Sequence, residues 1–196
     1  MSPKEIPMTE EQSLSIITGM INRAKNRFSE TGTLYLLWGW LILACCITQF
    51  IINTFFTWHY SFTIWYSTWL LVIYQVYYLK KQKRIEGVST YTGDIIKYVW
   101  ITMFACAVLL MFIIFKFHFY AAIYPVILVV YGLPTFLSGV ILKFMPLRMG
   151  GIICWALSVI CTFVPFEYQL LLIALAVIAA WIIPGYLLRA KFKKEN

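Results

Sequence analysis

The stretch Lys97–Lys116, KYVWITMFACAVLLMFIIFK, holds eighteen consecutive uncharged and mostly apolar residues between two lysines. Coiled as a helix, such a run is long enough to cross a hydrocarbon core of about 30 Å. Working outward, comparable runs occupy 34–53, 60–79, 120–142, 149–165 and 169–188, with 97–116 third in order. The chain therefore reads as all-α: an integral membrane bundle of six transmembrane helices within residues 33–190, followed by a basic tail at 191–196. Composition agrees. Apolar residues make up 62% and charged residues 12%, against about 25% charged in ordinary soluble domains. Six spans leave no length for a separate soluble domain.

Residues 1–32 are polar and lack the basic start and apolar core of a cleavable signal peptide. From Thr9 to about Glu30 they predict an amphipathic helix. Thr9 and Gln12 have capping-box spacing, and Glu10 and Glu11 sit where the helix dipole favours acids. Leu14, Ile17, Ile21, Ala24 and Phe28 recur at steps of three and four, which puts them on one stripe. Thr31-Gly32-Thr33 is expected to break this helix before the first span. A helix so separated either lies in the membrane interface or docks under the bundle. Trp38 and Trp40, flanking Gly39, mark a place where it could pack back.

Orientation follows from the basic residues. Counted over alternate connections, 15 of the 16 Lys and Arg fall on one side and only Lys116 on the other. This bias predicts a multi-pass protein of the cell (inner) membrane with both termini cytoplasmic. The acids divide seven inside and one, Glu167, outside. The net charge of +8 thus belongs to a cytoplasmic face built from Lys80, Lys81, Lys83, Arg84, Arg189 and Lys191 among others. Such a face predicts contact with anionic lipid headgroups, and no nucleic acid need be invoked.

Catalytic signals are missing from the spans. No Asp, Glu, Lys, Arg or His falls near the middle of a span, where ionisable groups mark ion pathways and proton relays. Nor does a span hold the residue sets used for intramembrane proteolysis. No enzyme activity and no cofactor are expected. The five cysteines all lie within apolar runs, in no zinc-ligand spacing, and predict core packing without disulfides.

Polar side chains gather at the outer ends of the spans: Gln49, Asn53, His59, His118 and Glu167. They predict either a ligand site at an outer mouth or headgroup-level tips. Pro134 and Pro184 fall inside spans and predict two kinks, either lining a cavity or shaping helices. Their surroundings are alike, Tyr131-x-x-Pro134-x-Phe136-Leu137 beside Trp181-x-x-Pro184-x-Tyr186-Leu187, which suggests a repeated hairpin.

The stretch from Ser13 to Lys25, then Glu30-Thr31-Gly32 and Leu37-Trp38-Gly39-Trp40, resembles an uncharacterised group of short bacterial membrane proteins. That group opens with an amphipathic helix leading into a Trp-Gly span. The resemblance implies that the N-terminal helix belongs to the fold, and it implies no activity. Two functions remain in view. One is a non-enzymatic accessory or regulatory module engaging a protein partner, a homo-oligomer or anionic lipid at its basic face. The other is a solute-binding transporter subunit or channel with a pathway near Pro134 and Pro184.

Overall fold

Long apolar runs must satisfy their backbone donors and acceptors internally, and a helix does this within a single segment. The computed structural model describes residues 10–55, 61–86 and 91–194, without the side chains of residues 10–31, 61, 79, 81–92 and 192–194. Among the described residues there is no strand. Helix α1 (Glu10–Phe55) is followed by a 3-10 turn (Ser61–Trp65), α2 (Tyr66–Glu86) and α3 (Tyr91–Lys116). A second 3-10 turn (Tyr120–Ala122) leads into α4 (Ile123–Ile141), then α5 (Met145–Cys161). The chain closes with a continuous rod: α6 (Phe166–Val177), a π turn (Ile178–Ile182) and α7 (Ile183–Lys194).

Among the described residues four stretches are long and apolar enough to cross a membrane: Gly32–Phe55, Gly93–Lys116, Tyr120–Ile141 and Phe166–Lys191. The other two runs differ from them for local reasons. The 149–165 run falls mostly on α5, an apolar helix of only 17 residues. The 60–79 run is divided between the first 3-10 turn and α2, whose tyrosines and Gln75 dilute its apolar character and whose second half carries Lys80, Lys81, Lys83 and Arg84.

The core lies where α1, α4, α5 and the terminal rod meet, around Ile42, Leu128, Leu147, Leu170 and Ile173. Helices α2 and α3 stand at its edge. Ile114 is the only fully buried residue described on α3, and Val108, Leu109 and Phe112 are more than half exposed. Apolar exposure on that scale suits a surface in contact with lipid.

The helix break expected at Thr31-Gly32-Thr33 does not occur, and α1 runs unbroken for 46 residues. Gly32 and Gly39 serve close packing instead. A Cβ on Gly32 would lie 3.2 Å from the Gly185 carbonyl oxygen, and one on Gly39 only 2.7 Å from Ile182 Cγ1. Glycine inside a helix costs about 1 kcal/mol relative to alanine, and the dispersion gained by bringing two helices this close offsets it. Trp38, placed by sequence near a packed-back helix, donates instead to Gln75 on α2 at 2.6 Å.

The π turn has an identifiable cause. Pro184 has no N–H to give the carbonyl one turn back, and its ring crowds that oxygen. The helix answers by widening, with the Ile183 N–H bonded to the Ile178 oxygen five residues before it. Single π turns of this kind recur at functional positions in helices.

Candidate functional site

Two buried polar clusters sit in the core, one toward the end of the bundle where α7 lies and one toward the opposite end. The first is assembled by four elements. Tyr131, Thr135 and Ser138 come from α4 at steps of four and three, so they share a face. The π turn contributes Trp181, α1 contributes Tyr35, and α3 contributes Trp100. Trp181 Nε1 donates to Thr135 Oγ1 at 2.9 Å, and the Thr135 hydroxyl donates to the Tyr131 carbonyl at 2.8 Å. Ring contacts join the elements. Centroids lie 4.8 Å apart for Tyr131–Trp181, 6.0 Å for Trp100–Trp181 and 5.8 Å for Tyr35–Trp100. The Tyr35 hydroxyl lies beside Ser138, yet both hydroxyls are buried without a hydrogen-bond partner.

The second cluster centres on Gln49, fully buried on α1. Its Oε1 accepts from Trp65 Nε1 at 2.7 Å, while its Nε2 is unpaired. The Tyr124 hydroxyl is close to Gln49 and is also unpaired. The Tyr124 ring packs on Phe166 at 4.8 Å. One turn further along α6, Gln169 donates to the Val164 carbonyl at 2.9 Å and leaves its Oε1 unpaired. A third polar contact, Cys45 Sγ to Ser67 Oγ at 3.3 Å, joins α1 to α2 between Gln49–Trp65 and Trp38–Gln75.

These groups are hydroxyls, amides and indoles. They supply directional hydrogen bonds between helices, and neither cluster contains a carboxylate or imidazole that could carry a proton. Their chemistry is that of registration: they fix which turns of α1, α4 and the terminal rod face each other.

The outer-mouth residues predicted from sequence are dispersed. Gln49 is committed to Trp65, and Asn53 is exposed on the last turn of α1. His118 is exposed with a left-handed backbone (φ 58°), its Nδ1 2.8 Å from the Tyr120 hydroxyl. Glu167 is exposed in the first turn of α6, where the helix dipole favours it. His59 lies outside the described residues. Among the described residues no three of His, Cys, Asp and Glu gather in a way that could hold a metal. On the basic side, Lys80, Arg189 and Lys191 are exposed. Lys81, Lys83 and Arg84 ride on α2 with side chains outside the described part.

Pro134 and Pro184 are both fully buried. The aligned aromatics of the two similar motifs, Tyr131 and Trp181, pack on each other with their planes tilted by 40°, and Trp181 also holds Thr135, so these side chains occupy the space between α4 and the π turn. A cleft of about 200 Å³ opens between α3 and α4 and is lined by Ala107, Met111, Ile127, Val130 and Tyr131.

Sequence reasoning passed over Tyr35, Trp100, Tyr124, Thr135 and Ser138 as site residues. For the α4 group the signal was the spacing, since polar residues in phase with Tyr131 and Pro134 share the face that packs. For Tyr35 and Trp100 no local pattern separates a buried aromatic from an interfacial one.

No protein-family model, no curated protein and no solved structure matches this chain.

Proposed function

We propose that this chain is a six-span protein of the cell membrane, both termini cytoplasmic, serving as a non-enzymatic accessory or regulatory module that engages a protein partner on its cytoplasmic side. The observation that carries this reading is the unbroken α1. A helix of 46 residues measures about 70 Å, while a span needs only about 30 Å. Residues 10–31 therefore form a stalk rigidly continuous with the first span, locked at its base where Gly32 and Gly39 meet Gly185 and Ile182. Whatever binds the stalk acts directly on the packed core. Anionic lipid at Lys80, Lys81, Lys83, Arg84, Arg189 and Lys191 holds the cytoplasmic face against the membrane. The competing reading, a solute pathway at Pro134 and Pro184, draws no support from a region occupied by Trp181 and Tyr131.

The test is native mass spectrometry on protein gently extracted from its own membrane, with and without residues 1–31. A stoichiometric protein partner that disappears on truncation, while the helical content of the bundle persists, is the expected result. A truncated protein that keeps every partner, or a full chain that never carries one, overturns the proposal.

A further inference from the structure

We infer that the turn between α4 and α5 seats the phosphate of an anionic glycerophospholipid on Lys143, Arg148 and Lys191, with an acyl chain lying along α5. The inference rests on the reading of this end of the bundle as the cytoplasmic face of a membrane protein. It adds Lys143 and Arg148 to the basic residues named there.

Three elements bring the cations together around Phe144. Lys143 precedes it in the connection and is exposed, with a left-handed backbone (φ 50°). Arg148 follows it by four residues, in the first turns of α5. Lys191, exposed on α7, holds its Nζ 5.9 Å from the centre of the Phe144 ring. Arg148 is the fixed point of the group. It reaches back across the end of α4, where its Nε donates to the Gly139 carbonyl oxygen at 3.0 Å and its Nη2, more loosely, to that of Val140 at 3.5 Å. These bonds lean on the negative end of the α4 dipole and use two of the five guanidinium N–H groups, leaving three to donate elsewhere. Arg148 is also half-buried, and a charge withdrawn from water calls for an opposite charge. Yet among the described residues Lys143, Arg148 and Lys191 form no ion pair. Three cations, one of them pinned and half-buried, thus lack an anion.

What adjoins the cations identifies that anion as a lipid. Met145, Met149, Ile152, Ala156 and Val159 follow one another on α5 at steps of three and four, so they form one stripe, and all of them are exposed. Arg148 borders this stripe, three residues after Met145 and four before Ile152. A phosphate on the cations therefore has an apolar track beginning beside it, which a free phosphate would not use. Methionine suits the head of such a track, because its flexible side chain adapts to an irregular neighbour. The length of α5 brings headgroup and cations to one level. Its 17 residues rise about 25 Å, short of a hydrocarbon core of about 30 Å, and a bilayer thins around a short span. A zwitterionic headgroup would carry an ammonium of its own into this basic site, so a lipid with net negative charge is preferred.

The experiment is native mass spectrometry of the full chain in detergent micelles. It is titrated with phosphatidylglycerol, with phosphatidylethanolamine, and with phosphatidylglycerol in excess inorganic phosphate. One phosphatidylglycerol should be retained ahead of all others, and neither competitor should displace it. Lys143→Asn, which suits the left-handed backbone, and Lys191→Gln should each weaken this first site about fivefold. Both lysines are exposed, so these variants keep the fold. Arg148→Gln should weaken it further, with Arg148→Lys, which keeps the charge and loses the fork, in between. Lys116→Gln, exposed at the opposite end of α3, should leave it unchanged. An unchanged first site in both Lys143→Asn and Lys191→Gln overturns the inference. So does a loss in Lys80→Gln as large as in Lys143→Asn, which would assign the lipid to the general charge of the face and leave that reading standing. A parent chain with no preference for phosphatidylglycerol over phosphatidylethanolamine overturns both the seat and the lipid-binding face. Displacement of the lipid by inorganic phosphate makes the site one for a free anion and also overturns the inference.

Discussion

Gly150→Ala tests the packing of α5 against the terminal rod. A Cβ at Gly150 would lie 2.6 Å from Ala180 Cα, 3.2 Å from Ala180 Cβ and 3.3 Å from the Ala179 carbonyl oxygen. Carbon atoms settle near 3.5–4.0 Å, so the two helices must part by about 1 Å. The nearest atom is backbone and cannot rotate away, which puts the cost toward the upper end of about 1–3 kcal/mol for overpacking. Alanine returns at most about 1 kcal/mol of helix propensity. The variant should lose roughly 2 kcal/mol overall. The assay is reversible unfolding in mixed micelles, titrated with a denaturing detergent and followed by tryptophan fluorescence. Adding Ala180→Gly removes the 3.2 Å contact but leaves Ala180 Cα in place, so it should recover only part of the loss. Val159→Ala, on an exposed face of α5, should change stability by about 0.5 kcal/mol or less. If Gly150→Ala matches or exceeds the parent in stability, the close approach of α5 to the π turn is wrong.

Three further outcomes follow from the polar clusters and the π turn. Trp181→Phe keeps an aromatic ring against Tyr131 but loses the bond to Thr135; a loss of about 0.6–1.7 kcal/mol is expected, and adding Thr135→Val should cost little more, as a double-mutant cycle would show. Gln49→Leu strands the Trp65 indole N–H and should cost about 1 kcal/mol, whereas Gln49→Leu with Trp65→Phe should be milder, because both partners are then apolar. Pro184→Ala restores the missing backbone donor, so the widened turn should relax toward a regular helix and shift the near-ultraviolet circular dichroism of Trp181; an unchanged spectrum would separate the π turn from the proline.

The helical fold was legible because charge-free runs of about twenty residues admit few alternatives, and 97–116 and 169–188 reappear as long apolar helices. Where sequence misled, the same residue type had two physical uses. Gly32 beside two threonines reads as a breaker when only local propensity is weighed, yet it marks where α1 touches Gly185. That partner lies 153 positions away in the chain, beyond the reach of any local rule. The run 60–79 shows the converse limit. Hydropathy averages over tyrosines that the helix spreads around its circumference, leaving Tyr66 and Tyr77 exposed.

The clusters expose a deeper limit. Gln49 and Asn53 are four residues apart at the end of one span, and both were read as one outer mouth. A single helical turn separates their fates: Gln49 is sealed in the core and Asn53 is exposed. Depth along a span can be read from sequence, whereas rotation about the helix axis depends on which neighbour arrives. On α1 the spacing alone does not settle that rotation, because Asn53 repeats at sevens from Gly32, Gly39 and Cys46, all of which are buried. Gln49 is held inward by Trp65, whose indole N–H it accepts, whereas Asn53 lies on the last turn of α1, where Thr54 and Phe55 are exposed as well. What decides the site is thus the neighbour that meets each residue, more than the spacing of residues along their own helix.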